Sequence, residues 1–512
     1  MPFHQHRILA DTFFFDVESY QYQSGWLEST ETTVLRFHPT VLANLGNNIP
    51  DNIRAVLEKP ITMINHVHHQ PFANGIVPVR AVVETEFQYD PEVKKTLARF
   101  FGEQIPIKLH NVIKLNGSGT LNITVAPFDY EELSGIKINW QGLTGNINYQ
   151  NGYASYTTQL AMPSFQAILA DKGSLKIENL TLNANSYNSK DGKTTLGSST
   201  TNLAHFNVSW NEGMDYNIKI NDLINTVTDL QIGAFINPRG TIAPNKISVD
   251  NLSYATETSE PEAGYLNTSG KFSFAKLNYG SDNYGPLAIH VSAEHLDAES
   301  LAALKTRRDQ LITQRLSDEQ MREALLAALR NEAAGLFTND PVIRLKQFDL
   351  TTPQGMISGN GELKFSGLTT ADLNDIDNLL AKTDADFHIA VPQQVIDRLT
   401  AAQAKNYISV DPSLPDADHE IQEAVRLWLD NVLESMARQG YLKIDGKQIV
   451  STHIVMRNKT FSMNGKRIES QADENLLPDS SLPADSSAPA TPASAPAAAS
   501  AASAPPKGAS AP

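Results

Sequence analysis

The side chains whose type and spacing could do chemistry are histidines and carboxylates, and the densest cluster is His66-Val67-His68-His69. In an extended strand His66 and His68 share a face, and two imidazoles that close can hold a divalent transition metal. No acidic residue or further histidine lies near them in sequence, so a polar strand face is the simpler reading and no metal ligand is assigned. Asp129, Glu131 and Glu132 are carboxylates of the kind that glycoside hydrolysis uses in pairs. They flank a turn, where carboxylates are ordinarily solvated. Asn116-Gly117-Ser118-Gly119-Thr120 is glycine-rich but sits between two strands. No helix follows to present the N-terminus that binds phosphate, so it reads as a hairpin turn. Neither a Gly-x-Ser-x-Gly elbow nor a His-Glu-x-x-His helix is present. The chain has 0 cysteines, which excludes disulfides, thiolate catalysis and cysteine-ligated metals. The expectation is no catalytic residue, no metal and no cofactor.

The elements that would carry any site come next. At 512 residues the chain exceeds one ordinary domain. A net charge of −16, without a run of Lys or Arg, argues against a nucleic-acid surface. No stretch approaches the roughly 18 apolar residues that span a bilayer. The first residues, MPFHQHRILADTFFFDV, have no cationic start, and Asp11 splits their apolar pieces, so they do not read as a signal peptide. Taken literally the chain is soluble, and any export segment or membrane tether would lie in a segment absent from it.

Five regions follow from the patterning. Residues 1–105 form an N-terminal α+β region, with strands over 11–40, 61–69 and 77–88, broken helix from Thr40 to Leu57, and a short helix from Pro91 to Phe101. Residues 106–296 are β-rich, their strands separated by Asn-Gly, Gly-Ser-Gly and Asp-Gly turns, with a short helical turn within Thr157–Ala170. Residues 297–340 are a helical hairpin whose second helix opens with a Ser317-Asp-Glu-Gln320 capping box. Residues 341–470 are a C-terminal α+β region with helices over Thr369–Lys382, Gln393–Lys405 and His419–Arg438. The last of these carries Ile421, Val425, Trp428, Leu429, Val432 and Met436 on one face. Residues 471–512 are an Ala/Pro/Ser-rich tail expected to be disordered. The fold class is α+β, a predominantly antiparallel, curved and bulged sheet with the inserted αα-hairpin, further C-terminal helices and the tail.

One pattern recurs. Leu175, Ile177, Leu180 and Leu182 are spaced as Ile247, Val249, Leu252 and Tyr254, and as Ile343, Leu345, Phe348 and Leu350. Period two with one extra residue is what a β-bulge writes into a sequence. Ile218-Lys-Ile220-Asn-Asp-Leu223 is a shorter copy. The third copy begins a hairpin, Pro341–Gly367, that turns at Thr352-Pro353-Gln354-Gly355 and returns through Ile357, Gly359, Gly361, Leu363 and Phe365.

Several landmarks in order carry a family resemblance. These are Trp26-Leu27-Glu28-Ser29 after a tyrosine-rich strand, His66–Pro71, Val125-Ala126-Pro127-Phe128, the Pro341–Gly367 hairpin and Met463-Asn464-Gly465-Lys466. Over about residues 15–467 the chain resembles the YdgA-like family of bacterial cell-envelope proteins. The resemblance implies an N-terminal membrane-spanning helix with the remainder facing the periplasm, and it transfers no catalytic residue. This chain departs in lacking that helix and in having Gln70 before Pro71. At the level of fold it is also similar to AsmA-like envelope proteins, which build long curved sheets with an apolar groove for lipid.

The expectation is a non-enzymatic envelope protein, periplasm-facing and inner-membrane associated, whose curved sheet binds or supports an apolar ligand or another envelope protein. Its inward ligand-binding positions would be Ile343, Leu345, Phe348, Leu350, Leu363 and Phe365. The partners would be lipid or envelope proteins and not nucleic acid; the sequence fixes no oligomeric state. The alternatives are a carboxylate-based hydrolase without a recognisable motif and a surface adhesion module.

Overall fold

The computed structural model describes residues 15–37, 55, 57–70, 72, 73, 77–190, 192, 194–211, 245–312, 314, 316–404 and 417–468. The helix from Thr40 and the Ile218 pattern fall outside these residues, apart from isolated positions at the end of the former, and so does the tail. The regions drawn from the sequence up to residue 468 lie in one compact unit, Met1–Ile468.

An open, curved, antiparallel sheet of 24 strands runs through that unit. Each strand pairs mainly with the next available one, because short turns return the chain beside itself. Phe15–Gln23 and Glu28–Phe37 begin the meander, and Ile449–Arg457 with Thr460–Met463 close it. The longest strands are central: Ser155–Leu169, Gly173–Asn188, Thr195–Trp210 and Lys246–Glu262. Ser155–Leu169 is strand throughout, so no helical turn forms within Thr157–Ala170. Ladder bonds from both neighbours hold that segment extended.

The recurrent spacing proves to be two different devices. In Val342–Thr352 the register shifts between Leu345 and Phe348, a true bulge. In the first two copies the register does not shift. There Asn179 and Asn251 each adopt φ 52°, and each lies opposite Ala204 on the strand between them. Followed sideways, the same row contains Pro163, Gly142 with φ 84°, Ala126 and Pro106, and in the other direction Ala275. Most strands it crosses change their apolar spacing from two to three at that row. Met162 gives way to Phe165, Leu203 to Phe206 and Phe274 to Leu277. A left-handed residue turns the chain about its own axis, which lets residues three apart take the same side. Asparagine adopts that conformation at low cost, whereas a β-branched residue there would lose about 1–2 kcal/mol. The sheet is therefore creased across its strands.

Seven helices flank the sheet among the described residues. Pro91–Phe101 (α1) starts from an Asp90 cap and packs Phe100 and Phe101 on Phe128 and Tyr130, with ring centroids 4.8–5.4 Å apart. Ala298–Ile312 (α2) and Asp318–Asn331 (α3) form the expected hairpin, and the Ser317/Gln320 capping box is made in both directions. Gly335–Thr338 (α4) follows, then Ile376–Ala381 (α5), Gln393–Ala404 (α6) and Ala417–Arg438 (α7). Helix α7 buries Leu429 and Leu433 against Leu442 and Val450. Trp428 is 59% exposed, so the stripe read from the sequence is out of phase there.

Candidate functional site

The site begins with alternation. In the hairpin Val342–Thr352/Gly355–Phe365, Ile343 stands opposite Leu363, Leu345 opposite Gly361, Phe348 opposite Gly359 and Leu350 opposite Ile357. The bulge carries Lys346 and Gln347 and keeps both halves of the first strand apolar on one side. All six positions picked from sequence thus belong to one face. Phe365 is not open, however. It is buried against Phe337 of α4, ring centroids 5.5 Å apart, and closes the end of the face on the helical hairpin. The glycines make room: a Cβ at Gly361 would meet the Phe387 ring at 2.2 Å, so Phe387 of the next strand lies over it.

The register extends this face across the sheet. Phe348 and Leu350 stand beside Ile289 and Leu287, these beside Phe272 and Phe274, then Tyr254 and Leu252, then Thr201 and Leu203. Beyond come Leu182 and Leu180, Leu160 and Met162, Gly145 and Leu143, Ile123 and Val125, and finally Leu109 and Ile107. In the other direction the row passes through Ile357 and Gly359 to Val391 and Ile389, and ends at Val450 under α6 and α7. It crosses thirteen strands without a charged residue. At about 4.8 Å per strand its contour is roughly 58 Å. Most of its middle members are half-buried, and Val291 and Ile389 on the same face are each 38% exposed. Ile389, Val291 and the central leucines escaped the sequence reading because their neighbours are set by register.

At its first strands the row is closed. Leu35, Met63, Leu109, Leu121, Ile147, Tyr149 and Tyr153 form a core beneath the curled sheet. Within it lies a polar patch: Glu31 opposite Asn65, which is opposite Thr85, with Asn111 nearby. Thr85 Oγ1 donates to Asn65 Oδ1 at 2.6 Å, and Tyr149 OH donates to Asn111 Oδ1 at 2.9 Å. Glu31 is 0% exposed. Burial pushes its carboxyl up to about 8, against a smaller lowering by Asn65. Burial also raises Tyr149 and Tyr153. An acid enclosed in this way is neutral at pH 7.

The polar candidates from the sequence lie on the opposite, solvent face. His66 Nδ1 is 3.0 Å from Glu28 Oε1 and its Nε2 is 3.7 Å from Glu86 Oε2, while His110 pairs with Glu84 at 2.6 Å. The acids near His66 come from neighbouring strands, and the result is a ladder of exposed cross-strand pairs. Ser29 Oγ lies 2.8 Å from His69 Nε2, but this serine is 1% exposed and also contacts Gly25, the geometry of a hairpin clasp. Glu131 pairs with Lys137, Glu132 with Arg99, and Asp129 accepts from Asn139. Their partners hold Glu132 low, through Tyr130 first and then Ser134. Asn116–Thr120 is the hairpin turn expected, with Gly117 at φ 82°. No helix of the described residues is long and apolar enough to cross a membrane.

A family model described as a bacterial protein of unknown function, DUF945, matches residues 4–471. No curated protein and no solved structure matches the chain.

Proposed function

The chain belongs to the DUF945 family of bacterial proteins, and from that premise we propose that it is a non-enzymatic cell-envelope protein that holds a lipid acyl chain along the apolar row of its sheet. The observation that carries the reading is the uncharged, half-buried row through Leu182, Leu203, Tyr254, Phe272, Ile289 and Phe348. A sheet face of this length that stays apolar with no second layer over its middle among the described residues fits an elongated apolar occupant. At roughly 58 Å by strand spacing it is far longer than a compact ligand and only a few side chains wide. The resemblance to YdgA-like and, at fold level, AsmA-like proteins supports the same reading and a periplasm-facing, inner-membrane-associated place for it.

The test is titration of a fluorescent long-chain fatty acid into the purified protein. Wild type binds saturably. A Val291→Glu/Ile389→Glu variant, at two half-exposed positions, keeps its far-ultraviolet circular dichroism and loses affinity by at least about tenfold, since a charge in apolar surroundings costs more than 1.4 kcal/mol. Equal binding by a folded variant would remove the row from the account.

A further inference from the structure

The opposite face of the strands that end the row is polar and carries its own constellation. His388 on Thr383–Pro392 stands directly across from His453 on Ile449–Arg457. Their rings stack, with centroids 3.9 Å apart and planes 10° from parallel. Asp386, two residues before His388, projects on the same face. Its Oδ1 lies 2.7 Å from His453 Nε2 and 3.9 Å from His388 Nδ1. One ligand atom from each of the three falls within 4.8 Å of the others. We propose that Asp386, His388 and His453 are the protein ligands of a divalent transition-metal ion.

The chemistry selects the ion class. Two imidazole nitrogens and one carboxylate suit zinc, nickel or copper, whereas magnesium and calcium take oxygen ligands. Around a tetrahedral ion with bonds of about 2.0–2.2 Å, neighbouring ligand atoms sit roughly 3.3 Å apart. The His453–Asp386 pair is already near that distance, and His388 reaches it by turning about its side-chain torsions. All three residues sit on paired strands, so the backbone is fixed by the ladder. The histidines open onto a depression of about 700 Å³ that Lys346, Asn360, Lys443 and Asn464 also line. It leaves a fourth position for water or an exogenous ligand. Two lysines there, and Arg457 3.7 Å from Asp386 Oδ2, oppose a dication and set a modest rather than a tight affinity.

The experiment is isothermal titration of zinc chloride into the untagged full chain. One site is expected, weakened at least about tenfold by His453→Ala and by His388→Ala, and unaffected by His66→Ala/His68→Ala on the separate histidine ladder. Asp386→Asn keeps the shape of the site should an alanine variant misfold. With it, cobalt(II) used in place of zinc should lose the visible absorption of a histidine–carboxylate complex. Absence of binding to about 1 mM zinc, or a loss smaller than tenfold in the folded His388→Ala/His453→Ala variant, overturns the assignment.

Discussion

The first strands of the apolar row and its middle share one alternation but differ in burial. Where the sheet curls over Leu35, Met63, Leu109 and Leu121, the row meets a buried core, with Leu109 inside it and Ile107 and Ile123 packed against it. In the stretch from Leu182 to Ile389 most of its members are half-buried, although they are largely apolar too. The closed end can even enclose Glu31, because burial keeps that acid neutral. The open stretch carries no such group. A closed core can enclose a neutral polar side chain, whereas an ionised one there would cost far more.

The contrast is broken most severely by truncation at the closed end. Met63 is 0% exposed, and Met63→Ala should cost about 2–5 kcal/mol in denaturant unfolding, as large-to-small core changes do. Ile389→Ala, at 38% exposure, should cost under about 1 kcal/mol. Equal losses would mean that the two regions are packed alike.

A smaller effect sharpens the same comparison through pH. The Glu31 carboxyl ionises near its ordinary value of about 4.3 in the unfolded chain, but in the fold it keeps its proton up to about 8. Between those values the folded state binds the extra proton, so stability falls as pH rises, by at most about 1.4 kcal/mol per pH unit. Glu31→Gln removes the titration. Its thermal midpoint should vary less between pH 5 and pH 8 than that of wild type, with the variant the relatively more stable at pH 8. Parallel profiles would show that the carboxyl is ionised within the fold.

Much of the architecture was legible because it is local. The Ser317-Asp-Glu-Gln320 cap, helix α1 and the Pro341–Gly367 hairpin are each specified within a short continuous stretch, and each forms where the sequence places it. The crease was half-legible. Glu178-Asn179-Leu180 and Asp250-Asn251-Leu252 share an asparagine that can turn left-handed, whereas Lys346-Gln347-Phe348 has a glutamine and makes a bulge instead. The six candidate positions lie on one face, but Phe365 serves the helical hairpin, because the contact with Phe337 is tertiary. Glu31 beside Asn65, and His388 beside His453, were hidden for one reason: strand register joins residues far apart in sequence. Helix α7 was misphased at Trp428 because several apolar stripes fit one helix, and only packing on Leu442 and Val450 selects among them.

Whether the open part of the row holds an acyl chain is open to direct measurement. The most direct measurement is organic extraction and mass spectrometry of the full chain purified from bacterial envelopes without detergent. Lipid in near-stoichiometric amount is expected from wild type, and its loss is expected from Val291→Glu/Ile389→Glu. A wild-type protein that yields no lipid, and that takes none up from phospholipid vesicles, would contradict it.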